Sequence, residues 1–225
     1  GNTTVAVLDR CLKSRNEINL ICAGKTQEPR WLTPELVAKQ MERGVMTWNF
    51  ASDENPDIVF CGIGDYMTKE ALAAISLLKQ ELPTVRSRFV NVSELCALGI
   101  GNAQCHIQLR PEANQMDAAQ GASEERPSRT AVAYGEGDPQ HGNTAMRHFS
   151  RFADYFTDDK PVIFNFHGYP ETLKPFLFDA AHDPKRFAVF GYIENGSTTT
   201  PFDMHVRNMT DRYHLVIRAA KFLSA

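Results

Sequence analysis

No run of apolar residues in this chain of 225 approaches the roughly 18 needed to cross a bilayer as a helix. No basic-then-apolar leader opens it either. Neither membrane insertion nor secretion is expected, and a cytoplasmic location is. The chain also lacks a surplus of positive charge: 24 Lys and Arg stand against 27 Asp and Glu, a net charge of −3. That leaves nothing to drive non-specific binding to nucleic acid or anionic lipid, so neither is expected as a partner. Five cysteines, an odd number with no CxxC pair, give no disulfide framework and no zinc site; they read as buried free thiols. The seven histidines include no HExxH, and no metal is expected. The first residue is Gly1 and not Met, and a helical apolar pattern starts at once. This reads as a piece of a longer chain.

What is present is ordinary for a globular protein: 43% hydrophobic, 10% aromatic and 23% charged residues, enough to bury a core. Val5, Leu8 and Leu12 recur at helical spacing, and Ile18, Leu20, Ile21 and Cys22 form a short buried-strand pattern ending in Ala23-Gly24-Lys25. Thr33-Pro34 predicts a helix start and Gly44 its end. The apolar run Ile58 to Cys61 then turns through Gly62-Ile63-Gly64-Asp65 into a long helix carrying Ala71, Leu72, Ile75, Leu78 and Leu82, and Val85 to Val92 reads as the next strand. Strand, glycine turn, helix and strand make a parallel crossover unit. Residues 99–147 carry no sustained apolar period and read as a poorly ordered insertion. The pattern resumes with a helix through Phe149, Phe152 and Phe156. A strand from Val162 to Phe166, a short helix over Glu171 to Asp179 interrupted by Pro175, a strand from Phe187 to Ile193 and a helix from Asp211 to Leu223 follow. The alternation predicts an α/β sandwich of three layers around a largely parallel, mixed sheet.

Chemistry-bearing motifs are few. After the strand at Ile58 the turn has two glycines of a GxGxxG fingerprint, but Met67 stands where the third belongs, so a nicotinamide or flavin site is not expected. GxSxG, GxxxxGK[ST] and a Cys–His nucleophile arrangement are missing. The most unusual stretch is Asn195-Gly196-Ser197-Thr198-Thr199-Thr200-Pro201-Phe202-Asp203-Met204. Thr200, Pro201 and Asp203 fit the cap, first helical position and capping-box residue of a helix. The glycine and hydroxyls before it suit an anion or a partner's carboxylate, and the same residues read equally as no more than a well-made cap.

Four strings together resemble the C-terminal part of a phosphoketolase: Ile18 to Lys25, Asn91 to Leu95, Asp159 to Phe164 with His167-Gly168-Tyr169-Pro170, and Gly196 to Met204. Their order and spacing hold, with 99–147 as the one large departure. The resemblance implies a thiamine diphosphate and magnesium enzyme. It cleaves xylulose 5-phosphate or fructose 6-phosphate with inorganic phosphate, giving acetyl phosphate and an aldose phosphate. It further implies three α/β domains as in transketolase, the first two binding the cofactor between protomers of a homodimer. On that basis residues 1–30 are the last helix and strand of the preceding pyrimidine-binding domain. Residues 31–55 are a linker, and 56–225 the C-terminal domain with a transketolase-like fold. The family's GDG-plus-Asn cofactor signature is missing here, so the chain alone is expected to bind no cofactor and to catalyse nothing.

The resemblance also gives Lys25 a role in holding the phosphate of the substrate or the attacking phosphate. His167 and Tyr169 follow a strand at its C-terminal end, where α/β sheets place ligands, but read first as structural or interface residues. Gly196, Ser197, Thr198, Thr199, Thr200 and Asp203 are candidates for a dimer interface or a regulatory pocket. The competing reading is a stand-alone regulatory α/β module that binds an anionic metabolite.

Overall fold

The computed structural model describes the chain except residues 17, 23, 25, 26, 99–151, 179–182, 195, 197 and 225. The inferred insertion 99–147, Lys25 and Ser197 therefore lie outside the described residues.

Among the described residues, five strands form one sheet in the order β1-β3-β2-β4-β5. The central strand β2 (Ile58–Ile63) is buried at all six positions. It pairs in parallel with β3 (Ser87–Val92) on one side and β4 (Val162–Phe166) on the other, and β4 pairs in parallel with β5 (Phe187–Gly191). A strand covered on both faces reads as a continuous apolar run, which is why β2 and β4 were legible without alternation. Alternate residues still divide between two cores. Ile58, Phe60, Phe89, Ile163 and Ala188 face Ala71, Ala74, Ile75 and Leu78 of α3 (Asp65–Glu81) and Leu215 and Ala219 of the terminal helix. Val59, Cys61, Val90, Val162, Phe164 and Phe166 face Phe152 and Phe156 of a helical stretch at 152–156 and Leu173 and Leu177 of α4 (Pro170–Phe178). These are the three layers the pattern predicts.

The helix ends follow local chemistry. Thr33 accepts a hydrogen bond from the Leu36 N–H at the start of α2 (Pro34–Arg43), and Gly44 ends it in the left-handed region with φ 69°. That glycine turns the chain straight into β1 (Val45–Thr47), which pairs antiparallel with β3. Three residues with no turn signal of their own give no sequence pattern, so this edge strand was not foreseen. Thr200 caps α5 (Pro201–Arg207), and the Asp211 side chain accepts from the N–H groups of Tyr213 and His214 at the start of α6 (Arg212–Leu223).

The N-terminal region differs from the sequence reading. Helix α1 (Asn2–Lys13) forms, but Val5, Leu8 and Leu12 are exposed, and α1 buries no residue. Residues 18–22 form no strand: Ile18 is fully exposed and Leu20 is 88% exposed. A strand exists through its ladder, and no described strand lies beside this segment.

Candidate functional site

From β2 the chain crosses to β3 on one side, and from β4 it crosses to β5 on the other. The carboxyl ends of β2 and β4 thus flank the point where the winding of the sheet reverses, the usual ligand position in open α/β sheets. Here that point is filled. The His167 N–H donates to the Ile63 carbonyl (2.8 Å), and the His167 side chain packs on Gly64. Gly64 has φ +101°, and a Cβ there would lie 2.5 Å from that of His167, so both the turn and the close approach require glycine.

Four rings from four elements close around this point. Tyr66, in the first turn of α3, lies 6.1 Å from His167; His167 lies 5.4 Å from Tyr192, just past β5. Tyr192 lies 5.7 Å from His205 of α5, and His205 5.9 Å from Tyr66, all between ring centroids. His205 is 4% exposed, and its Nδ1 is 2.9 Å from the Thr210 hydroxyl. Beneath the ring, fully buried Asn165 donates through Nδ2 to the carbonyls of Met67 (3.2 Å) and Thr210 (3.0 Å), tying β4 to α3 and to the approach of α6.

Of the four rings only His205 is buried; Tyr66 and Tyr192 are half-buried and His167 keeps an exposed face. Partial burial pushes the His167 pKa down, with the Asp65 carboxylate opposing. It lowers that of His205 as well, against the pull of Glu70. Burial raises the Tyr192 hydroxyl, helped by Glu194. At neutral pH both imidazoles, His167 and His205, are therefore neutral. The flank of the ring is strongly charged. Glu70, 2% exposed, takes two hydrogen bonds from the Arg212 guanidinium (2.9 and 2.7 Å) and one from its backbone N–H (3.0 Å). Burial works to raise the Glu70 pKa, but the Arg212 hydrogen bonds outweigh it and leave it lowered.

Two further features border the ring. Lys69 Nζ sits 4.8 Å above the Tyr66 ring centroid and 3.0 Å from Glu28 Oε1, and a methyl group at Gly24 would lie 3.9 Å from the Tyr66 hydroxyl oxygen. The described residues on either side of Lys25 thus lie on the first turns of α3. A cleft of about 270 Å³ opens between α1, residues 28–32 and the carboxyl ends of β2 and β3, with Trp31, Trp48, Asp65, Asn91 and Ser93 in its wall. Beneath it Trp48 Nε1 donates to Gln40 Oε1 (2.9 Å), Gln40 to Asn91, and Asn91 to the Thr68 hydroxyl (2.9 Å) and the Gly62 carbonyl (3.0 Å). These buried side chains satisfy one another, which fixes the wall.

The structure separates residues that the sequence grouped. His167 joins the ring, whereas Tyr169, two residues on, is 51% exposed and outside it. Gly196 has φ +75° and open space around its Cα, and Thr198 is exposed. The hydroxyls of Thr199 and Thr200 both donate to Asp203 Oδ2 (3.0 and 2.7 Å), so they are turned toward a carboxylate of their own helix. These hydrogen bonds hold the Asp203 carboxyl below its ordinary pKa. Sequence reasoning missed Tyr66, Tyr192 and His205. The Gly64-Asp65-Tyr66 turn was noticed only as an incomplete dinucleotide motif, and His205 follows Asp203 without a signal of its own. Among the described residues no group of three or more His, Cys, Asp and Glu is placed to hold a metal ion.

The model of the XFP C-terminal domain matches residues 25–114 and 137–225, leaving 115–136 without a counterpart. A protein described as a probable phosphoketolase from Pseudomonas putida is 38% identical over 219 residues, which are 96% of this chain and 23% of that protein. One so described from Brucella abortus is 37% identical over 226 residues, 99% of this chain and 24% of that protein. Among solved structures, a transketolase from Leishmania mexicana covers 82% of this chain and 18% of its own, with 11% identity and a TM-score of 0.46. The chain spans about a quarter of the length of these phosphoketolase relatives. With the family model matching well over half of its residues, the chain belongs to the XFP C-terminal domain family, the C-terminal domain of phosphoketolases.

Proposed function

We propose that the chain is the C-terminal part of a longer phosphoketolase, which cleaves xylulose 5-phosphate, fructose 6-phosphate or both with inorganic phosphate to acetyl phosphate and an aldose phosphate. The observation that carries this reading is the combination of a family match on both sides of 115–136 with a span of only about a quarter of the relatives. Thiamine diphosphate and magnesium belong to the preceding domains. In this reading no residue of this chain holds the magnesium or the diphosphate. The role of this part is assembly: residues 1–30 complete the preceding domain, 31–55 join the two, and the full enzyme is a cytoplasmic homodimer.

Lys25 is the one residue assigned to substrate. An ammonium is a compact positive charge suited to a phosphate dianion, and it acts without transferring a proton. His167 lies at the switch point and holds the carboxyl edge in shape, while exposed Tyr169, Gly196 and Thr198 are the residues we assign to a neighbouring protomer. The test is direct. Full-length protein supplied with xylulose 5-phosphate, phosphate, thiamine diphosphate and magnesium accumulates acetyl phosphate, and the isolated 225-residue chain accumulates none. Acetyl phosphate made by the isolated chain, or none made by the full-length protein, would overturn the reading.

A further inference from the structure

We propose that the cleft between α1, residues 28–32 and the carboxyl ends of β2 and β3 is a binding site for a neutral sugar or related polyol, held by Thr68, Asp65 and Trp31. His167 occupies the switch point between β2 and β4, and the cleft opens instead over the ends of β2 and β3. Its volume of about 270 Å³ lies just below the roughly 300–1,000 Å³ of sites for drug-sized molecules, so a small ligand is the one it suits.

The polarity of the buried side chains beneath the cleft is fixed by one of them. An indole Nε1–H can only donate, so Trp48 must meet the oxygen of Gln40 (2.9 Å), which turns Gln40 Nε2 toward Asn91 Oδ1. Asn91 Nδ2 is then left to face the Gly62 carbonyl (3.0 Å) and the Thr68 hydroxyl (2.9 Å). Thr68 therefore accepts, and its own proton is left over. Among the described residues no acceptor takes that proton. Thr68 is 4% exposed and lines the cleft, so the row ends as a donor at the cleft wall, polarised by the bonds behind it. A buried donor with no acceptor is costly, and a ligand oxygen removes that cost.

The neighbours of Thr68 define the ligand further. Asp65 also lines the cleft, three residues earlier on α3, and side chains at that spacing are neighbours on a helix surface. Its carboxylate accepts. A ligand hydroxyl satisfies both residues at once, taking the Thr68 proton and giving its own to Asp65. Beside them the Trp31 indole is 37% exposed and packs on Trp48 with 6.5 Å between ring centroids, which offers an apolar face to the C–H groups of a sugar ring. Charge argues against a phosphorylated ligand: among the described residues the wall carries Glu28 and Asp65 against Arg30 as its one side-chain cation. The site is separate from the reaction proposed above and uses none of its groups.

The test is amide hydrogen exchange read peptide by peptide in the full-length protein, with D-xylose as the probe, so that binding elsewhere in the molecule is seen apart from binding here. Peptides covering 28–32 and 62–68 are expected to gain protection as D-xylose rises, while those covering α6 stay unchanged. Thr68→Val keeps the shape and removes the proton. It is expected to raise the midpoint concentration about fivefold, and Thr68→Ser to restore most of the loss. Trp31→Ala, at a partly exposed position, is expected to raise the midpoint without lowering Tm, and it decides alone if Thr68→Val melts early. Unchanged exchange in both segments at the highest D-xylose concentration, or an unchanged midpoint in the folded variants, would overturn the proposal. Protection there by inorganic phosphate or adenosine alone would overturn it too, since the cleft would then be an anion or nucleobase site. Activity is not read, so either result leaves the phosphoketolase reading standing.

Discussion

Two parts of this molecule carry the same kind of apolar pattern and meet opposite fates. Ile58, Val59, Phe60 and Cys61 in β2 are completely buried, flanked by two parallel strands and covered by helices on both faces. Ile18, Leu20 and Ile21 make an equally strand-like run, yet they are exposed and unladdered, and the apolar stripe of α1 is exposed with them. An apolar pattern states that a segment is to be covered, and the partner is a separate question. For β2 the partners lie in this chain. For residues 1–22 we propose that they lie in the part of a longer phosphoketolase that precedes this chain, which spans only about a quarter of the length of its phosphoketolase relatives.

The comparison is sharpened most by truncating one residue from each region. Phe164 is fully buried and packs its ring 5.2 Å from Phe156 and 5.5 Å from Phe187. Phe164→Ala is expected to cost about 3–5 kcal/mol in the isolated chain, measured by urea unfolding. Leu20→Ala should change the same midpoint by less than about 0.5 kcal/mol, because no covered contact is lost. A comparable loss at both positions would break the distinction.

A smaller effect reports on the ring that closes the carboxyl edge. His167 and His205 are held below their ordinary pKa of 6.5, chiefly by burial. Above that pH both folded and unfolded chains carry neutral imidazoles, and the pair contributes no pH dependence. Below it the unfolded chain takes up protons first, so stability falls as the pH drops from 6.5 towards the lowered folded values. His205→Gln should lower stability overall and flatten this slope, in a window above that of the carboxylates. No such slope is expected from the N-terminal region, since residues 1–22 contain no histidine.

How much of this was legible follows from the range of each interaction. The caps at Thr33, Gly44, Thr200 and Asp211 are decided within a few residues, and the sequence pattern placed the helices they bound. Strands β2 and β4 announce themselves because burial on both faces leaves little room for polar residues, whereas β3 carries Ser87, Arg88 and Asn91 among its six residues. The edge strand β1 does not, since its three residues are strand only through pairing with Val90, Asn91 and Val92. The ring of Tyr66, His167, Tyr192 and His205 is the extreme case: its members come from four elements up to 139 positions apart, and no local pattern joins them. Thr199, Thr200 and Asp203 lie between these limits. Their spacing was visible, but only the geometry reveals that the hydroxyls are spent on their own helix's carboxylate.

We propose that the exposed apolar surface of α1 and residues 18–22 is covered by other parts of a longer phosphoketolase. Amide hydrogen exchange on residues 18–22, compared between the isolated chain and the full-length enzyme, tests it most directly. Rapid exchange is expected in the isolated chain, with protection close to that of β2 in the full-length protein. Equal, rapid exchange in both would contradict it.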